Sequence, residues 1–227
     1  MRLVFLGPPG AGKGTQAKRM AREFALRHAS TGDMFREAVG AGSELGRTVR
    51  SYLDSGKLVP DALTSRVVKE MVLECSDSYI LDGYPRTMGQ AQDLEKMLQE
   101  RGETLDAVLY FELGRQEAVR RLSGRLVCNA CGANFHREFM PPRVADVCDC
   151  CGGPLTVRGD STEEVIRQRL AEYEEKTYPL VPYYAQRGLL RKVDAGQDPG
   201  DVASQSRAVL TKLGASGMQS EVAKPGK

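Results

Sequence analysis

The stretch GPPGAGKGT, Gly7 to Thr15, satisfies G-x-x-x-x-G-K directly after an apolar run and before an amphipathic one. Glycines at this spacing let successive backbone N–H groups turn toward one anion, and a helix starting there adds a positive potential. Lys13 supplies a point charge that reaches the outer phosphates of a nucleotide. A plain glycine turn is the competing reading, but the strand pattern before it and the helix pattern after it favour nucleotide binding. Gly14 is a departure, because many nucleotide hydrolases place there a Ser or Thr that ligates magnesium. Magnesium is then left to phosphates, water and an acid. Asp82 closes the apolar run of "SYILDG", at the carboxyl edge where doubly wound sheets place ligands.

A second chemistry is written in the cysteines. Four of the six form two C-x-x-C pairs, Cys128-Asn-Ala-Cys131-Gly and Cys148-Asp-Cys-Cys151-Gly. Both the spacing and the trailing glycines fit a four-cysteine tetrahedral zinc site. A single C-x-x-C could be a redox dithiol, but two on one segment make that reading improbable. A nucleic-acid ribbon would need a basic stripe, and Asp146, Asp149 and Glu138 interrupt one. Cys150 falls in the middle of its turn and should point away from the metal. Cys75 stands apart, as a small buried residue. About thirty residues with few large apolar groups cannot be rigid alone. A zinc clip supplies about 10 kcal/mol or more in small peptides, so the metal should be structural.

The elements that must hold these groups alternate. Leu3–Leu6, "SYILDG", "AVLYFEL" (Ala107–Leu113) and "LLRKVDA" read as buried parallel strands. Helical spacing appears after Gly12, after Asp61 (read as an N-cap), over Gln90–Arg101 and Gln116–Ser123, and in "DPGDVASQSRAVLTKL". A helix also opens at Ser161, spaced from Glu164 as a capping box, with Pro179 and Pro182 expected to break or kink it. Between about Leu126 and Val157 the period is lost, as in an inserted subdomain. Ala215–Lys227 is polar and rich in Gly, Ser and Pro, and reads as a disordered tail. The fold class is α/β, around a parallel sheet.

The chain of 227 residues has 41% hydrophobic and 27% charged residues and a net charge of +2. Bulk charge therefore argues for no nucleic-acid or acidic-membrane partner, so anion sites must be built locally. No apolar run is long enough to span a bilayer, and the N-terminus reads as a first strand rather than a signal peptide. The expectation is a cytoplasmic protein, where disulfides rarely persist.

Taken in order, "GPPGAGKGTQA", "STGDMFRE", "GKLVPD", "LDGYPRT" with Gln90 following, and the "SGRLVC…CDCCGG" insertion resemble the adenylate kinases, from Met1 to about Leu213. The resemblance implies a P-loop core with a five-stranded parallel sheet flanked by helices (1–29, 60–124 and 163–214). It also implies a helical AMP-binding insertion (30–59) and a zinc-binding lid (125–162). The implied reaction is reversible transfer from ATP to AMP, giving two ADP, by a monomer that uses magnesium. Gly10, Ala11, Gly12, Lys13, Gly14, Thr15, Arg125, Asn134, Phe135 and Gln197 would contact ATP. Thr31, Arg36, Lys57, Leu58, Val59, Gly83, Tyr84, Pro85, Arg86 and Gln90 would hold AMP. Arg121, Arg158 and Arg169 would meet the phosphates, with Arg158 and Arg169 reaching AMP as well. A phosphate acceptor is already ionised and needs no strong general base, in keeping with a chain of only two histidines. A second departure is Asp160-Ser161, where the family often carries two adjacent acids. Nearby alternatives are a kinase for another nucleoside monophosphate and a nucleotide-binding regulator with a zinc module.

Overall fold

A computed structural model of the protein describes residues 1–73, 78–157 and 161–222, and of 215–222 the backbone alone. Five strands form one sheet: β1 (Arg2–Leu6), β2 (Arg27–Ser30), β3 (Tyr79–Asp82), β4 (Ala107–Glu112) and β8 (Leu190–Asp194), in the order β2-β3-β1-β4-β8. Every pairing in it is parallel. The apolar runs are continuous because both faces are covered. Val4, Leu6, Leu81, Val108 and Tyr110 point into one core, Leu3, Phe5, Ile80, Leu109 and Phe111 into the other. Helices α4 (Asp61–Leu73), α5 (Met88–Glu100) and α8 (Leu180–Gln186) cover the first face; α1 (Lys13–Glu23) and α9 (Pro199–Val222) cover the second. Register sets the site: Phe5 and Ser30 both lie opposite Asp82, so three strands deliver their C-terminal loops to one edge.

Two insertions rise from that edge. Helices α2 (Thr31–Gly40) and α3 (Glu44–Asp54) share a small core built on Phe35, Val49, Val59 and Val67. They approach so closely that a Cβ on Gly46 would lie 2.0 Å from the Ala38 carbonyl oxygen. After α6 (Arg115–Ser123) comes a three-stranded antiparallel sheet, order β6-β5-β7, of β5 (Arg125–Cys128), β6 (Asn134–His136) and β7 (Leu155–Val157). Helix α7 (Glu163–Glu172) follows it.

Several local readings need correction. Thr162, not Ser161, caps α7, its hydroxyl accepting the Val165 N–H; Ser161 is instead buried, its hydroxyl without a partner among the described residues. Asp61 opens α4 as its first residue and turns its carboxylate toward α5. Past α7 the chain makes a π-helical turn at Tyr173–Thr177 before the break at Pro179. Pro182 sits within the first turn of α8, where its missing N–H costs nothing. Helix α9 continues to Val222, into the segment expected to be disordered, because no proline interrupts it before Pro225. Cys75, Arg158 and Asp160, and the tail from 223 on, lie outside the described residues. Among the described residues no helix is long and apolar enough to cross a membrane.

Candidate active site

The phosphate loop is shaped by three glycines with positive φ: Gly7 (148°), Gly10 (86°) and Gly12 (77°). At Gly7 the constraint is doubled, since a Cβ would lie 2.5 Å from the Phe111 carbonyl oxygen. Gly12 caps α1 in the left-handed region, so the first helical N–H groups face the loop's concavity. Lys13 is only partly buried as a residue, but its Nζ is enclosed, donating to the carbonyls of Gly7 at 2.7 Å and Pro8 at 2.8 Å. Burial of the ammonium pushes its pKa down to about 7; Asp82 opposes this, and Arg86, Arg169 and Arg125 add to it. A desolvated ammonium with three guanidinium groups near it is a site suited to an anion.

Two clefts open from this point. The larger, a cavity of about 440 Å³, holds Gly10–Thr15, Asp82, Arg121, Arg125, Asn134, Phe135 and Gln197. Arg125 donates to the Asn134 side-chain oxygen at 2.7 Å, linking two of these residues. Arg121 is oriented by Glu117 at 2.9 Å and by the Ala195 carbonyl at 2.7 Å. Gln197 donates to Asp194 at 2.9 Å. The other cleft is lined by Thr31, Arg36, Lys57–Val59, Gly83, Pro85 and Gln90. Lys13, Arg36, Arg86 and Arg169 line both clefts, so the two share one cationic wall. Arg36 is paired with Asp33.

Arg86 is held from three sides. Its Nε donates to the Gly83 carbonyl at 2.8 Å, its N–H to Gln90 Oε1 at 2.8 Å, and its carbonyl accepts from Thr177 Oγ1 at 2.8 Å. Thr31 Oγ1 donates to the same Gly83 carbonyl at 3.0 Å. Asp82, half-facing His28 Nε2 at 3.3 Å, is a carboxylate beside the loop. A Cβ on Gly14 would come within 3.1 Å of its Oδ2. One carboxylate with substrate phosphates and waters is an ordinary magnesium environment, so Asp82 fits that ion.

A family model described as adenylate kinase matches residues 5–189. Curated proteins named adenylate kinase are similar over most of their length. That of Moorella thermoacetica is 50% identical over 87% of this chain and 92% of its own. That of Carboxydothermus hydrogenoformans is 45% identical over 93% and 100%, and that of Archaeoglobus fulgidus 44% over 94% and 99%. The chain belongs to the adenylate kinase family. It is thus a member of a phosphotransferase family.

In this adenylate kinase family member the small sheet carries the cysteines. The sulfurs of Cys128, Cys131, Cys148 and Cys151 all lie within 4.8 Å of one another, with 3.5 Å between Cys128 and Cys151 and between Cys131 and Cys148. These distances exceed a disulfide's of about 2.05 Å. They approach the edges of about 3.8 Å that a tetrahedron with Zn–S near 2.3 Å requires. The cluster could therefore hold a metal ion such as zinc. Gly132 (φ 70°) and Gly152 (φ 72°) close the turns by donating to the Cys128 and Cys148 carbonyls. Backbone N–H groups, that of Cys131 first, pull the Cys128 thiol down to about 7, while the Cys131 and Cys151 thiols stand above the ordinary value. Cys150 is exposed and outside the cluster.

Of the described residues that the resemblance assigns to the nucleotides and their phosphates, Tyr84 alone lines neither cleft. Its side chain is buried in the core beside α4 and α5, with its hydroxyl 3.1 Å from Ser65. Sequence reasoning missed His136 and Phe139, which line the larger cleft. Phe139 stacks on His136 and lies under Arg120 and Arg121, with guanidinium carbons 4.7 and 5.3 Å from the ring centre. The one available signal was an aromatic and a histidine just past Phe135 in an otherwise polar segment.

Proposed function

We propose that the protein catalyses reversible transfer of the terminal phosphoryl group of ATP to AMP, giving two ADP. The observation that carries this reading is the cationic wall of Lys13, Arg36, Arg86 and Arg169 shared by two clefts, one on the phosphate loop and one on α2–α3. Each cleft accepts a nucleotide, and their phosphates face each other across that wall. An AMP phosphate oxygen forms the new bond to the terminal phosphorus of ATP, while that phosphorus loses its bond to the bridging oxygen, which leaves on ADP. No proton need be abstracted, so positioning and positive charge carry the catalysis. Lys13 and Arg121 act from the ATP side, Arg36 and Arg86 from the AMP side, and Arg169 and Arg125 at the junction. Arg158 is proposed for the same cluster on the family resemblance. Asp82 is the residue to hold magnesium, which when bound neutralises charge on the ATP phosphates.

The segments 30–59 and 125–162 are proposed as the AMP-binding flap and lid, the latter stiffened by structural zinc on Cys128, Cys131, Cys148 and Cys151. A monomer is proposed on the family resemblance. A thiolate metal site supports a reducing compartment such as the cytoplasm. The test is coupled ADP formation from ATP with AMP, and with UMP, CMP and dAMP, on metal-analysed protein. No ADP from any acceptor sinks the enzyme reading, and a preference for another monophosphate sinks the AMP assignment.

A further inference from the structure

Gln90 is the third residue of α5, and Thr87 is its cap, the spacing of a capping box. In that motif the third side chain turns back to the cap's own N–H. Here it goes elsewhere. Gln90 Oε1 accepts the Arg86 N–H at 2.8 Å, and Gln90 Nε2 donates to Asp61 Oδ1 at 2.8 Å. Asp61 Oδ2 accepts from Thr87 Oγ1 at 2.6 Å, and Thr87 Oγ1 accepts the Gln90 N–H at 3.2 Å. Asp61, the first residue of α4, therefore closes a ring of hydrogen bonds around a side chain that is 2% exposed and lines the α2–α3 cleft.

The ring fixes which way the amide faces. An amide is nearly symmetric in shape, so exchanging its oxygen and nitrogen costs little unless the neighbours distinguish them. Both neighbours do: the Arg86 N–H only donates, and a carboxylate only accepts. With one lone pair of Oε1 and one hydrogen of Nε2 so engaged, the other lone pair and the other hydrogen remain to meet a ligand. Their order along the cleft is set by the Arg86 N–H and the Asp61 carboxylate together. Adenine offers a donor on its 6-amino group beside an acceptor at N1. A 6-oxopurine reverses both, with an acceptor at O6 and a donor at N1. A flipped amide would suit the 6-oxopurine as well as the held amide suits adenine.

We propose that Asp61 is a specificity-determining residue, which holds the Gln90 amide in the orientation that selects adenine over 6-oxopurine monophosphates. This rests on the reading that the α2–α3 cleft binds AMP with Gln90 against its base. Mismatched buried hydrogen bonds make such selection steep.

The decisive variant is Asp61→Asn, whose amide can either donate or accept and so leaves the Arg86 N–H alone to tell the two orientations of Gln90 apart. Rates with AMP and with inosine monophosphate are measured at saturating ATP. The expected result is a fall in the AMP-to-IMP ratio of kcat/KM of about tenfold or more, with the KM for ATP unmoved. Asp61→Ser, whose hydroxyl also plays either part, is expected to give the same loss and serves if the first variant does not fold. Gln90→Ala is the reference. If it destroys the preference and both Asp61 variants keep it, Asp61 does not set the orientation and the proposal falls. If Gln90→Ala keeps the preference as well, the assignment of the base to Gln90 is what fails.

Discussion

Gly83→Ala isolates the acceptor side of the site, because one atom there would disturb two residues that share one anchor. Gly83 has φ 84°, so any side chain first incurs the left-handed penalty of about 1–2 kcal/mol. The added Cβ would then lie 2.9 Å from both Arg86 Nη2 and Thr31 Oγ1. Ordinary contact begins near 3.4 Å, so each must retreat by roughly 0.5 Å. Both are ends of side chains, so the fold can absorb the move. Neither can make it without loosening its bond to the Gly83 carbonyl, at 2.8 Å from Arg86 and 3.0 Å from Thr31. A misplacement of 1 Å near reacting groups costs about 100-fold, so half of that predicts a loss of about tenfold or more.

The expected outcome is a drop in kcat/KM for AMP of about 10- to 100-fold, with the KM for ATP close to the parent's. The melting temperature should fall by only about 2–8 °C, from about 2–4 °C per kcal/mol in a chain of this size. Steady-state kinetics with each nucleotide varied in turn, beside a thermal melt, separate the two effects. A variant that melts several degrees lower but handles AMP normally would refute the reasoning. It would mean that the Gly83 carbonyl anchors structure and not the acceptor's phosphate.

Lys13→Met should cut turnover by about 10²–10³-fold in the same assay, the usual cost of removing one contact to transition-state charge, while the melt stays cooperative. Cys151→Ser should lower the zinc content found by metal analysis and make the small sheet melt ahead of the core, whereas Cys150→Ser should leave both nearly unchanged. His136 gives the pH prediction. Its Nδ1 accepts the N–H groups of Glu138 and Phe139 at 3.0 and 3.1 Å, and burial holds its pKa below the ordinary value. A base with a lowered folded pKa contributes stability that is complete above the unfolded pKa near 6.5 and is lost as pH falls through the folded one. The β5–β6 hairpin should therefore loosen on acidification below about pH 6.5, followed by hydrogen exchange of Glu138 and Phe139. His136→Gln should flatten that dependence.

What could be read from the chain and what could not divide along physical lines. Strands β1, β3 and β4 announced themselves because a parallel strand covered on both faces must be apolar throughout, and β8, at one sheet edge, kept enough of that pattern in Leu190 and the buried Val193. Strand β2, Arg27–Ser30, did not, since it lies at the sheet edge with one buried residue, Ala29. The strands of the small sheet are three or four residues long and stand on a core of Leu126, Cys128, Cys148 and Leu155, too little apolar pattern to give a period. Ser161 was read as the cap from its spacing to Glu164, but its burial leaves that place to Thr162. The phosphate loop and the cysteine pairs were legible because their chemistry is local. Asp61 and its hold on Gln90 were not, because their contact exists only once α4 packs against α5.

The glycine after Lys13 looked like a missing ligand, and the structure gives it a positive reason. A side chain on Gly14 would crowd Asp82 Oδ2, at 3.1 Å from its Cβ. The volume a hydroxyl would take in other phosphate loops is here kept for the carboxylate that ends β3. The exchange leaves Asp82 as the acid that opposes the repulsion of Arg86, Arg169 and Arg125 on the desolvated Lys13 ammonium. Such a cluster is tolerable in a chain of net charge +2 only because it is local and its deficit can be met by ligands. On the proposed function, each nucleotide brings part of the balancing negative charge to the same wall and so lowers the repulsion among its cations. On that reading, binding of two nucleotides assembles the charge balance that phosphoryl transfer requires, and neither one alone completes it.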